Sequence, residues 1–217
     1  MERDVAILMA DLTGYTAMTE VHGGESAANI VNKYMDLVDK SLYGETLVVQ
    51  RIGDQVVLIS DNPFDILITA KHLNTSAIEE HHFLSIHSGI HFGSIFQDKG
   101  NLFGSTINVT ARIMNLANGG QILCSSAFVN KIEIQPDISF KSLGFQKLKN
   151  VINEMEIFEL NALSESMTLP LDPVCHMIVN PEKGSYSHTF QGKTFHFCSI
   201  ECMEMFKAKP ESFINGI

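Results

Sequence analysis

The chain has 217 residues, 45% of them hydrophobic and 18% charged. That is enough apolar material for a buried core and excludes a disordered chain. Lys and Arg number 15 against 25 Asp and Glu, giving a formal charge of −10. Such a surface repels phosphate backbones and excludes nucleic acid as a general partner, although one triphosphate held by a local site or by metal ions is compatible with it.

Residues 5–10 form a short apolar run that reads as a buried strand ending at Asp11. It is too short for a signal peptide or a membrane span, and no later run approaches ~18 residues. The expectation is therefore a cytoplasmic protein with no membrane partner. From 25 to 41, Ile30, Val31, Tyr34, Leu37 and Val38 recur at helical spacing, with Gly23 and Gly24 before the helix and Gly44 after it. Segments 46–50 and 56–60 are β-rich and flank Gly53 and Asp54, the pattern of a hairpin. Pro63 opens a second helix reaching about residue 73, and 82–91 alternates like a strand. Residues 106–117 read as a helix stopped by Gly119 and Gly120, and 121–124 and 155–160 as further strands. Helices alternate with strands, but hairpins intervene, which favours an α+β sandwich over a doubly wound sheet. Residues 162–170 read as a linker between a first unit, 1–161, and a second, 171–217, too small for a large core and expected to need a staple such as a metal.

Two carboxylates stand where chemistry is expected. Asp11 follows the first strand and is succeeded by Leu12, Thr13, Gly14, Tyr15 and Thr16, a loop whose small residues allow its N–H groups to cradle phosphates. Asp54 stands in the hairpin. Carboxylates at adjacent strand ends can hold two divalent cations roughly 3.5–4 Å apart. Taken singly, each Asp reads more simply as a turn or cap residue.

Four stretches in order resemble the class III nucleotidyl cyclases over roughly residues 3–160: Ala10 to Thr16, Arg51 to Asp54, Phe103 to Arg112, and Leu148 to Val151 with the closing strand. The resemblance implies a ferredoxin-like βαββαβ sandwich and a lyase, an adenylate cyclase making 3′,5′-cyclic AMP and pyrophosphate from ATP. It implies two Mg2+ or Mn2+ ions on Asp11 and Asp54, with the Leu12 carbonyl as a further ligand. It also implies substrate contacts from Thr13, Gly14, Tyr15 and Thr16, ribose orientation by Asn108, charge neutralisation on the α-phosphate by Arg112, and a triphosphate contact from Lys149, with Lys147 as substitute. Asn108 and Arg112 are spaced i, i+4 and share one helix face. The family's site forms between two chains, so the resemblance implies a head-to-tail homodimer.

The chain departs from the family where purines are selected. Gln50 and Asn101 occupy positions that usually carry Lys and Asp or Thr in adenylyl cyclases, and Arg51 substitutes poorly because neighbouring strand residues face opposite ways. Amides donate and accept, so this pair is compatible with ATP and, turned over, with GTP. The alternative is a catalytically inactive cyclase-like platform for dimerisation or nucleotide binding that acts as a metal sensor.

Three of the four cysteines, Cys175, Cys198 and Cys202, lie beyond residue 170, spaced C-x22-C-x3-C. On a helix, Cys198 and Cys202 would share a face and reach one ion. Residues 171–213 resemble the YHS domain, a small treble-clef-like, metal-associated module. Three thiolates suit Cu+ with an open position, or Zn2+ with a fourth ligand, for which His176, His188 and His196 are candidates. Cys124, in an apolar strand, reads as core.

Overall fold

The structure, a computed structural model, describes residues 2–98, 101–133, 135–161 and 169–214. Its framework is β1 (Glu2–Leu12), α1 (Tyr15–Ser41), β2 (Leu47–Ile52), β3 (Gln55–Ser60), α2 (Pro63–Glu79) and β4 (Ile86–Asp98). These six elements form a βαββαβ unit whose strands lie in the order β2-β3-β1-β4, all neighbours antiparallel. This is the ferredoxin-like arrangement. The sheet is extended by β5 (Asn101–Phe103), β6 (Ile122–Ser125), β7 (Phe140–Gln146) and β8 (Met155–Leu160), with β6 parallel to β4, β8 and β7 beyond it, and β5 paired to β4 off the main path. Helices α3 (Ser105–Met114) and α4 (Ser126–Val129) complete the first unit.

Strand β1 is apolar at successive positions because both its faces are covered. Ala6, Leu8, Ala10 and Leu12 join the core under α1 and α2, while Val5, Ile7 and Met9 meet α3 through Ile107, Ala111 and Met114. Several boundaries move from the sequence reading. Gly23 and Gly24 lie inside α1, where Gly23 at φ 77°, ψ 174° bends the helix without ending it. The strand expected at 82–91 begins at Ile86 and runs on to Asp98, and α3 ends at Met114.

The C-terminal segment has a knuckle at 172–176, a hairpin of β9 (Tyr186–Phe190) and β10 (Lys193–Phe197), then α5 (Ile200–Ala208) and α6 (Glu211–Ile214). Phe190, Phe195, Phe197 and Phe213 surround Phe206. This small core is continuous with the core beneath α1 and α2. The Ile178 N–H donates to the Phe83 carbonyl at 2.7 Å, and Leu84 bridges Met177. Residues 162–168 of the expected linker and residues 215–217 of the expected second unit lie outside the described residues. No helix among the described residues is long and apolar enough to cross a membrane.

Candidate functional site

Asp11 is the penultimate residue of β1, and Asp54 lies in the turn joining β2 to β3, the strand beside β1. Burial pushes the Asp11 carboxyl up to about 6, with the charge and hydrogen bonding of Asp54 adding to the rise and the Leu12 N–H opposing it. Two acidic groups this close repel when both are ionised, and a cation between them removes the penalty. The donor set is hard oxygen, suited to Mg2+ or Mn2+.

The loop after Asp11 is held from β4 and its approach. The Thr13 N–H donates to the Ser85 carbonyl at 2.8 Å, and Thr13 Oγ1 lies 3.0 Å from His87 Nδ1. The other ring nitrogen of His87 stands 4.0 Å from Asp11 Oδ2. Burial lowers the His87 pKa, with Asp54 opposing. His87 thus holds the loop and stands beside the carboxylate, a placement the sequence reading missed. Its only signal was register, since His87 sits directly opposite Asp11 across the β1–β4 ladder. Gly14 caps α1 in a left-handed conformation, φ 85°, with no side-chain cap, so the N–H groups of the first turn are left for another acceptor. Tyr15 packs partly into the core and Thr16 is exposed.

Asn108 and Arg112 lie on α3 and line a cleft of about 510 Å3 with Lys149 and residues 150–155. The helix is set by β4: a Cβ on Gly89 would lie 2.3 Å from the Met114 nitrogen and 2.8 Å from the Thr110 carbonyl oxygen. Arg112 makes no ion pair among the described residues. Lys147 is committed elsewhere, donating to the Ile152 carbonyl at 2.6 Å. Neither Asp11 nor Asp54 lines this cleft.

Gln50 is exposed on edge strand β2, across from Val57, and Asn101 opens β5 opposite Asp98. With β3, β1 and β4 between them, the two positions stand about four strand spacings apart across the sheet, roughly 19 Å, and Gln50 is level with Gly89 while Asn101 pairs with Asp98, an offset along the strands on the order of 30 Å. One chain does not bring them together on one base. Arg51 pairs with Asp39 of α1, which commits its charge to the helix.

The cysteine cluster departs from the sequence reading in two ways. Cys198 is not on the helix with Cys202: Ser199 caps α5, accepting from the Cys202 N–H, and Cys198 precedes the cap. The thiols still meet, with Sγ atoms of Cys198 and Cys175 3.4 Å apart and those of Cys198 and Cys202 3.7 Å apart. Of the histidines considered, none joins them. His176 lies against Gly14, His188 packs edge-on to Phe206, and His196 Nδ1 lies 3.4 Å from Ser185 Oγ. Along β10, Phe195 and Phe197 take the buried face, so His196 alternates away from the thiols. The imidazole that does reach them is His22 of α1, with Nε2 3.5 Å from both Cys198 and Cys202 Sγ. Asp172, fully buried, accepts from the N–H groups of Val174 and Cys198 at 2.8 Å and so ties the two cysteine-bearing turns together. Cys124 is buried in the core on β6, its thiol pushed up by burial.

The fold and the two acidic strand ends define an α+β chain built like the purine nucleotide cyclases. Residues 1–162 match the adenylate and guanylate cyclase catalytic domain and residues 171–216 match the YHS domain, and the chain belongs to the adenylate and guanylate cyclase catalytic domain family, followed by a YHS domain. A pH-sensitive adenylate cyclase of Mycobacterium tuberculosis is 23% identical over 161 residues, covering 73% of this chain and 41% of that protein. The chain thus spans less than half the length of this curated relative. Among solved structures, an adenylate cyclase from Trypanosoma brucei, solved in its monomeric state, superposes with a TM-score of 0.70 at 19% identity, covering 82% of this chain and 93% of that one. The guanylyl cyclase Cya2 superposes with a TM-score of 0.65 at 18% identity, covering 78% and 97%. At these identities the structural likeness establishes the fold.

Proposed function

We propose that residues 1–161 form a nucleotidyl cyclase that converts ATP, and with relaxed purine choice GTP, to the 3′,5′-cyclic nucleotide and pyrophosphate. The observation that carries this reading is the Asp11–Asp54 pair, two close carboxylates of which one is pushed up to about 6. Asp11 and Asp54 would hold two Mg2+ or Mn2+ ions, with the Leu12 carbonyl as a further ligand. Bound there, the cations supply acidity to the ribose 3′-hydroxyl and neutralise charge on the triphosphate.

The chain's own groups do the rest. The uncapped first turn of α1, with Thr13, Gly14, Tyr15 and Thr16, offers N–H donors to phosphate oxygens. Asn108 orients the ribose, Arg112 offsets the charge that develops on the α-phosphate, and Lys149 contacts the triphosphate from the same cleft. The absence of both aspartates from that cleft supports a head-to-tail homodimer, in which the aspartates of one protomer meet Asn108 and Arg112 of its partner. The same pairing is what would let Gln50 and Asn101 read one purine. Beyond a linker at 162–170, the YHS domain would bind a soft or borderline metal, Zn2+ or Cu+, through Cys175, Cys198 and Cys202.

The test is cyclic nucleotide formation from ATP and from GTP with Mn2+. Wild type forms product, and Asp54→Asn loses it by at least about a hundredfold, in line with the weight of metal and electrostatic terms in phosphoryl chemistry. No product from folded wild type would favour the inactive platform.

A further inference from the structure

We infer that His22 is the fourth ligand of a closed Zn2+ site with Cys175, Cys198 and Cys202, and that the ion clamps the YHS domain onto the first segment of α1. The four donor atoms lie within 4.8 Å of one another. A tetrahedral ion with Zn–S near 2.3 Å and Zn–N near 2.0–2.1 Å sets its sulfurs about 3.8 Å apart and each sulfur about 3.6 Å from the nitrogen. Four of the six edges are near those lengths, with Sγ–Sγ separations of 3.4 and 3.7 Å and Sγ–Nε2 separations of 3.5 and 3.5 Å, and the two from Cys175 Sγ to Cys202 Sγ and to His22 Nε2 are within 4.8 Å. The three thiols are buried and His22 is half-buried, so the fourth position is filled by protein rather than left to solvent. Asp172 and Ser199 supply the outer hydrogen bonds that fix the cysteine turns. Three thiolates and one imidazole within reach of one tetrahedral ion are a Cys3His donor set, which suits Zn2+.

The placement of His22 gives the ion a second consequence. His22 ends the first segment of α1, immediately before the bend at Gly23. That segment begins at Gly14, and there His176, the residue after Cys175, lies so close that a Cβ on Gly14 would stand 2.5 Å from its Cβ. Residues 14–22 are therefore held at one end by a ligand and at the other by a neighbour of a ligand. Removing the ion frees both ends of the helix turn that carries the proposed phosphate loop. The site stands on its own geometry and is independent of the cyclase reading.

The experiment uses the reduced full chain, stripped with a chelator and titrated with Zn2+ and with Co2+ as a spectroscopic substitute. One ion per chain binds tightly, and Co2+ in that site gives the intense visible bands of tetrahedral thiolate coordination. His22→Ala binds Zn2+ about a hundredfold more weakly, as expected for losing one of four ligands, and its Co2+ spectrum changes. His22→Cys restores tight binding with a spectrum shifted towards four thiolates, which separates a ligand from a merely structural residue. Zn2+ slows amide exchange across 14–22 in wild type and not in His22→Ala. Unchanged affinity and spectrum in His22→Ala would overturn the assignment, as would tight Cu+ uptake with no Zn2+ binding. None of these readouts needs nucleotide turnover, so an inactive catalytic domain would leave the site's test intact.

Discussion

His91 shows how a single buried titratable side chain ties this fold to pH. It is 8% exposed in β4, with Nδ1 2.7 Å from Ser125 Oγ, and Ser125 Oγ also accepts from the Phe128 N–H. Burial lowers its pKa from the usual 6.5 to about 4, so the ring stays neutral in the folded chain. The unfolded chain takes up the proton first as pH falls, and the stability this group contributes above pH 6.5 is lost on the way down towards pH 4. Between pH 7.5 and 5 the loss is about 2 kcal/mol. Asp11, raised to about 6, acts in the opposite direction, since the folded chain then holds its proton more tightly than the unfolded one. Comparing urea midpoints of wild type and His91→Gln at both pH values separates the two: the variant should lack the acid-side loss, and an identical slope would assign it to other groups. At this scale the sequence was informative wherever spacing carried the chemistry. The resemblances single out Asp11, Asp54, the i, i+4 pair and the three thiols, and the structure sets the charge of Asp54 against Asp11 and gathers the three thiols. His22 could not, because it lies 176 residues from Cys198 and no local pattern joins a helix residue to a distant knuckle. His87 was hidden for the same reason, its role arising from a strand register.

At the scale of elements, α3 carries both Asn108 and Arg112, the pair to which the proposed function assigns the ribose and the α-phosphate. Its height above the sheet is fixed by backbone against backbone, with Gly89 directly under the Thr110–Met114 turn. Gly89→Ala would force a methyl to within 2.3 Å of the Met114 nitrogen, and no side-chain rotation relieves that contact. The helix must lift, at a cost of about 1–3 kcal/mol. Cyclic nucleotide formation should fall at least about tenfold in protein that still melts cooperatively, because a displacement on the order of 1 Å misplaces both side chains. Full activity with unchanged melting would mean that α3 is not seated through this contact. The sequence reading places β1, the hairpin, α2, α3, β6 and β8, and apart from the edge strand β2 each of these has a buried face. Strand β7 escaped because it closes one edge of the sheet with an exposed, Gly-interrupted pattern, so no apolar alternation marks it. The bend at Gly23 reads as a helix start because a glycine that adopts positive φ looks the same in sequence whether the helix ends or only turns there.

At the scale of the whole molecule, the proposed cyclase reading divides one site between two places on the chain. The carboxylates stand at the β1 and β2–β3 ends, and the Asn108–Arg112 cleft excludes them. If a single chain completed its own site, two different inactive variants would stay inactive when mixed. If the halves meet across a head-to-tail dimer, complementation follows from symmetry. Asp54→Asn supplies an intact Asn108–Arg112 half, and Arg112→Ala supplies an intact carboxylate half. Random exchange of equal amounts makes half of the dimers mixed, and each mixed dimer carries one native site and one doubly damaged site. Activity should therefore recover to about a quarter of wild type after mixing, from near zero for either variant alone. The recovery should rise with total protein concentration, because dimer formation sets it. The acidic surface adds an ionic-strength effect: at a formal charge of −10, two copies repel, and moderate salt should promote the mixed dimer by screening. No recovery at any concentration or salt, with both variants folded, would place the complete site within one chain and overturn the shared-site arrangement.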